Sequence, residues 1–221
     1  MKKLKLSLVI ALLGAFSLVS AQSAFLNVKG GLNMSNFYGD NLNDKNMKPG
    51  FHIGVGADLE FLHNISLQTG LYYSSKGAKY TYSSAITEDV EFNVSANYIQ
   101  LPIHIAYKID VTPGTKLVFH AGPYLAYGIG GKRKIDSKYT EDLNQYFGKR
   151  EVDTFDKDWG FKPFDVGIGI GVGAEFGLIF IDLGWDMGLK DISRSALKNI
   201  SKSSQITAKN HSAYLSLGYK F

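Results

Sequence analysis

Along most of the chain after residue 25, apolar and polar residues alternate with a period of two, the mark of strands whose two faces meet different surroundings. Leu26, Val28, Leu32 and Met34 share one face, against Asn27, Lys29 and Asn33 on the other. Phe51, Ile53, Val55, Ala57, Leu59 and Phe61 oppose His52, Gly54, Gly56, Asp58 and Glu60. The same period runs through Ile65, Leu67, Thr69, Leu71 and Tyr73, and then through Ile99, Leu101, Ile103, Ile105 and Tyr107, interleaved with Gln100, Pro102, His104 and Lys108. Leu117, Phe119, Leu125, Tyr127 and Ile129 make a fifth row; Phe164, Val166, Ile168, Ile170, Val172 and Phe176 make a sixth. Ile179, Ile181, Leu183 and Trp185 form the seventh, and Ala213, Leu215, Leu217, Tyr219 and Phe221 the eighth. Eight rows predict eight strands.

None of the rows contains Asp, Glu, Lys or Arg, although 20% of the chain is charged. Charge is kept to the opposite face, which carries Lys29, Asp58, Glu60, Lys108, Asp165, Glu175, Asp182, Asp186 and Lys220 among glycines and small polar residues. A soluble lipocalin-type barrel also alternates, but with its apolar face inward. A cavity lined by Asp, Glu, Lys and Gly would be a poor apolar pocket, whereas it suits the polar interior of a membrane barrel with lipid outside. The expected fold is therefore all-β: an eight-stranded antiparallel up-and-down transmembrane β-barrel. Asp58, Glu60, Lys108, Asp165, Glu175, Asp182 and Asp186 are expected to form a charge-paired, structural lumen cluster.

The segment FDVGIGIGVGAEFG, 164–177, formally satisfies the dinucleotide pattern GxGxxG/A, but that pattern needs a strand, a turn and then a helix. Here the strand period simply continues. Gly167, Gly169, Gly171 and Gly173 fall on the inward phase, where a narrow barrel needs small residues opposite bulky ones. Tyr72, Tyr98, Tyr124 and Tyr214 are the inward bulk.

Connections alternate in length. Short turns are expected near 62–64, 110–115 and 177, and long polar ones at 36–49, 74–97, 131–163 and 188–210. This puts both termini at the short-turn end, periplasmic in bacterial barrels, with the long loops outside. The stretch KYTYSS, 79–84, suggests that strands continue past the membrane. Tyr38, Tyr73, Tyr107, Tyr127, Trp185 and Tyr219 lie near strand ends, as an interfacial girdle requires.

Composition changes the picture in two ways. Lys2, Lys3 and Lys5 precede an apolar stretch and the small-residue site Val19-Ser20-Ala21, which reads as a signal peptide over 1–21 and a barrel domain over 22–221. Removing those lysines lowers the formal charge from +4 to +1, so the basic pI gives no reason to expect nucleic acid. Cysteine is absent, which excludes disulfides, thiolate metal sites and cysteine catalysis.

Candidate chemistry is sparse. His52, His104 and His120 fall on the inward phase and could serve a metal or a base, but lumen hydrogen bonding is the simpler role; no cofactor or catalytic residue is expected. Lys190, Arg194, Lys198 and Lys202 make the 188–210 connection basic, able to meet anionic lipopolysaccharide or an acidic partner. The 131–163 connection carries Trp159 among mixed charges, a composition found at interaction surfaces.

The stretches VKGGLNMSNFYGD, YIQLPIHIAYKI, FHAGPYLAYGIGGK, FDVGIGIGVGAEFG and YLSLGYKF together resemble the PorT-like, or porin-like, outer-membrane β-barrel family of Bacteroidetes-type bacteria. The resemblance implies an outer-membrane location and a C-terminal signal, Tyr219 and Phe221, read by the barrel-assembly machinery. It also suggests an accessory role in protein secretion. From the residues, the leading expectation is a monomer with a plugged lumen, in contact with membrane lipid and lipopolysaccharide, whose long loops make it a surface interaction or structural protein. A narrow porin or a lipid-modifying enzyme are the lesser alternatives.

Overall fold

The computed structural model describes residues 23–38, 47–82, 90–137, 152–156, 160–193 and 207–221. Ten strands lie among them: β1 (Ser23–Tyr38), β2 (Lys48–Leu62), β3 (Ile65–Tyr82), β4 (Val90–Thr112), β5 (Thr115–Gly130), β6 (Lys132–Ser137), β7 (Val152–Asp153), β8 (Phe164–Phe176), β9 (Ile179–Gly188) and β10 (Lys209–Lys220). Eight close into a ring in the order β1-β2-β3-β4-β5-β8-β9-β10, every pair antiparallel. The ring is shut by β1 on β10, from Asn27 opposite Lys220 to Tyr38 opposite Lys209. Closure leaves no open edge in the wall, the condition for placing strands in hydrocarbon.

The apolar rows face outward. Leu32 is 71% exposed, Ile170 57% and Leu215 53%, while the alternating Asp58, Tyr124 and Ser216 are buried. A continuous apolar belt of this extent is what a lipid solvent requires and water does not tolerate. At the short-turn end, the chain reverses at Gly114 and Gly177, whose φ values of 82° and 61° suit glycine.

The expected long connections contain more strand than their polarity suggested. β3 has 18 residues and β4 has 23, against roughly 9–11 needed to cross a bilayer. Their pairing continues from Ser74–Tyr98 up to Tyr82–Val90, through most of 74–97. The outward row changes character there, from Tyr73 and Ile99 to Ser75, Gly77, Asn97, Ser95 and Asn93, so the extension leaves the lipid band with its hydrogen bonding intact. β6 continues the line of β5 after Gly131 (φ 135°) and pairs with β4 over 90–94; β7 pairs with β6. The result is a small sheet of β3, β4, β6 and β7 rising from the long-loop end of the barrel.

Candidate functional site: a closed lumen and a basic outer rim

The lumen is filled in layers, beginning at the short-turn end with five charges from four strands. Lys108 Nζ donates to Asp58 Oδ2 (2.8 Å) and Glu60 Oε1 (2.7 Å). Lys220 Nζ donates to Asp58 Oδ2 (3.1 Å) and Glu175 Oε1 (2.6 Å). Asp58 and Lys108 are almost wholly buried, so each charge is tolerable only because the others are present.

The middle layer is built on histidine. Lys29 Nζ donates to Asp182 Oδ2 (3.0 Å) and lies 5.0 and 5.6 Å from the Tyr72 and Tyr214 ring centres. His120 Nε2 meets Asp182 Oδ1 at 2.8 Å; a carboxylate can only accept, so the proton belongs on that nitrogen. His120 Nδ1 lies 3.0 Å from His104 Nδ1, with the two rings stacked. His52 Nε2 pairs with Ser216 Oγ at 2.8 Å. That serine and histidine are both buried in the lumen, turned away from the lipid face where an acyl chain would lie.

Higher up, Gln100 Nε2 donates to Asp186 Oδ2 (2.7 Å), and Lys76 Nζ donates to Gln100 Oε1 (2.8 Å) and Asp186 Oδ2 (3.4 Å). Asn210 Nδ2 donates to Asp165 Oδ2 (2.7 Å) and Tyr98 Oη (3.2 Å), and Tyr124 Oη donates to Asp165 Oδ2 (3.2 Å).

The glycines of β8 fit between these groups. A Cβ at Gly167 would overlap the Tyr124 ring, one at Gly169 would crowd His104, and one at Gly171 would overlap the His120 ring. Small cavities remain between the described residues, two of them of about 50 and 40 Å³, room for a few waters each. Lys29, Tyr72, Pro102 and His104 border both and stand between them. The buried Asn27 Oδ1, Asp58 Oδ1 and His104 Nε2 have no protein partner and belong to residues lining the larger cavity.

The final layer adds an apolar plug to the polar lumen expected from the sequence. At the long-loop end, Phe37, Ala78, Val94, Ala96, Tyr98, Tyr124, Ala126, Ile192 and Ala208 form one apolar cluster, with Phe155 and Phe161 packed against it. Above the lipid band the inward face no longer needs to be polar, because connecting segments fold over it. Thr154 N donates to Gly131 O (3.0 Å) and Thr154 Oγ1 to Ser95 O (2.6 Å); Phe161 N donates to Thr154 O (2.7 Å). Phe155 sits over Gly128, where a Cβ would overlap its ring. Ile192 is held by backbone bonds to Ala208 (2.9 Å) and Lys162 (2.8 Å). Arg133, on β6 beside this plug, is pulled below the ordinary guanidinium range by burial, against an opposing pull from Asp156.

The profile of one family, described as the outer membrane protein beta-barrel domain, matches residues 20–194. The chain belongs to that family. An outer membrane beta-barrel domain protein resides in the bacterial outer membrane, and the closed ring of strands meets the requirement that every backbone group in hydrocarbon be paired. Among solved structures, the chain is similar to Ail, the attachment invasion locus protein of Yersinia pestis, at 17% identity and a TM-score of 0.43, covering 90% of this chain and 100% of that one. It is similar to OprG of Pseudomonas aeruginosa at 11% identity and a TM-score of 0.45 (91% and 97% covered). Neisserial surface protein A matches at 11% identity and a TM-score of 0.43 (91% and 99% covered). At these identities the likeness concerns the fold alone. No curated protein matches the chain.

In this outer membrane barrel the seven residues expected in the lumen cluster all face the lumen, but in separate groups: Asp58, Glu60, Lys108 and Glu175 in the lowest layer, Asp182 in the middle, Asp165 and Asp186 above. Lys76 and Asn210 belong to the upper groups and were missed, because both lie in stretches read as loop. Tyr219 in β10 and Phe221 just after it carry exposed, edge-to-face rings 5.2 Å apart. Lys190 stands at the long-loop rim, its Nζ 4.4 Å from the Phe164 ring centre. Trp159, Arg194, Lys198 and Lys202 lie outside the described residues. Among the described residues, no group of three or more His, Asp or Glu is arranged to hold a metal ion.

Proposed function

We propose that this outer membrane barrel is a closed, monomeric anchor that presents its protruding sheet and long connections at the cell exterior, as a surface interaction or structural protein without catalytic activity. One observation carries the reading: the lumen is occupied at every level, by three polar layers and an apolar plug, while the chain spends its extra strand length above the lipid band. Eight strands leave an interior only wide enough for side chains. Both termini then lie in the periplasm, and the sheet of β3, β4, β6 and β7 faces outward. The exposed Tyr219 and Phe221 pair serves as the C-terminal signal for the barrel-assembly machinery.

Single-channel recording of the mature protein in planar bilayers tests closure. The expected trace is silent or shows rare small events; a large, stable conductance overturns the reading. The PorT-like resemblance adds accessory work in protein secretion, and unchanged export of secreted proteins in a deletion strain would remove it.

A further inference from the structure

The cations at the long-loop rim are not equivalent. Lys48 Nζ is spent on Asn93 Oδ1 (2.6 Å), Ser95 Oγ (2.6 Å) and Val94 O (3.1 Å), and Lys162 Nζ turns to Asp191 O (3.4 Å). The side-chain ammonium groups of Lys190 and Lys209 have neither a carboxylate nor a hydrogen-bond partner among the described residues. The nearest acid in sequence, Asp191, points its carboxylate at Ser193 N (2.9 Å), Ser193 Oγ (2.6 Å) and Ala208 N (3.1 Å), so it stabilises the plug rather than its lysine neighbour. At the opposite end of the barrel, by contrast, the rim cation Lys116 has Asp110 at 3.7 Å.

The two unpartnered lysines stand on one wall. Lys209 pairs with the exposed Tyr38 across β1 and β10, and it shares the outward phase of β10 with Ala213, Leu215 and Leu217. His211, two residues on, touches Tyr38 and Trp185, at ring-centre separations of 5.2 and 6.1 Å. Lys190 follows β9, its backbone fixed by Lys190 N to Val166 O (3.3 Å), and it leans over Phe164 on β8. At the usual strand spacing, this strip of β1, β10, β9 and β8 is about 15 Å wide. Below it the wall is apolar down to the short-turn end.

We infer that this wall is a binding surface for a lipid of the outer leaflet whose headgroup carries phosphate, with Lys190 and Lys209 engaging the phosphate and the acyl chains lying on the apolar rows beneath. A soluble anion would use the lysines but would have no use for the exposed Tyr38, Trp185 and Phe164, whereas a neutral lipid would leave both charges unanswered. An amphiphile with an anionic head satisfies both, and aromatic rings between them mark the headgroup level. The inference shares the orientation proposed above but does not depend on the lumen being closed.

Native mass spectrometry of the detergent-solubilised mature protein tests it, using lipid A carrying both phosphates, its dephosphorylated form, and inorganic phosphate as probes. Phosphorylated lipid A is expected to bind more tightly than the dephosphorylated form. Each of Lys190→Gln and Lys209→Gln should weaken it roughly five-fold and the pair about thirty-fold, from about 1 kcal/mol per surface lysine. Lys190→Arg with Lys209→Arg should restore it, and gel mobility with and without boiling confirms that every variant folds. Equal binding of the two lipids, an unaffected double glutamine variant, or displacement of the lipid by an equal concentration of inorganic phosphate would each overturn the inference. Conductance plays no part in this readout, so the lipid surface and the closed anchor fail separately.

Discussion

Replacing Lys108 with Met tests whether the charge layer at the short-turn end is held by its internal balance. The layer contains Lys108 and Lys220 against Asp58, Glu60 and Glu175, a formal charge of −1; Lys108→Met makes it −2 while keeping the volume of the stem. Removing one member of a buried pair costs about 3–5 kcal/mol, because the remaining charge stays desolvated. Two features favour the lower end of that range: Lys220 still donates to Asp58, and the Glu60 side chain is 19% exposed and can reach water. About 3 kcal/mol is therefore expected. Adding Asp58→Asn returns the layer to −1 and should recover a large part of the loss, so the double variant is more stable than Lys108→Met alone. Lys116→Ala is the control, since its pair with Asp110 is wide and largely exposed, and such pairs contribute about 0–1 kcal/mol. Urea titration of protein refolded into phosphatidylcholine vesicles, followed by tryptophan fluorescence, gives the differences. The reasoning is refuted if Lys108→Met costs no more than the control, or if Asp58→Asn adds its own penalty to that of Lys108→Met.

Two further outcomes follow from the wall. Gly171→Val sets a branched side chain against the His120 ring and should abolish the heat-modifiable folded species, whereas Ile170→Val one residue away faces lipid and should cost no more than about 1.5 kcal/mol; folded Gly171→Val of normal stability would show that the lumen is not packed there. Leu215→Arg places a cation in the apolar outer row and should destabilise by about 2–4 kcal/mol at mid-membrane, falling toward zero if that position sits at an interface.

The face of each residue was legible in the sequence; its partner was not. Period two assigns Asp58, Lys108 and Asp182 inward because any strand sends alternate side chains to opposite sides. Whether Lys29 meets Asp182, 153 residues away, or His52 meets Ser216, 164 residues away, depends on the stagger of strands around the ring, which no local pattern carries. Lys76 was missed for a related reason: the polar outward row beside it, Ser75, Gly77 and Lys79, looks like loop once lipid no longer demands apolar residues. The plug escaped notice because Phe155, Phe161 and Ile192 sit in connections, where isolated apolar residues show no period until the fold gathers them over Phe37 and Val94.

The pairing of β1 with β10 joins the two ends of the barrel, while every other wall contact is between strands that follow one another around the ring. Two of the buried charge contacts are made across that same seam. Lys220 from the final strand meets Asp58 on β2, and Lys29 on β1 meets Asp182 on β9. An unclosed curl of strands would thus hold lysines and carboxylates facing a bilayer with their partners still absent. Closure and charge pairing are for that reason coupled: the arrival of the C-terminal strand brings Lys220 to Asp58 and Glu175 in the same step that seals the wall.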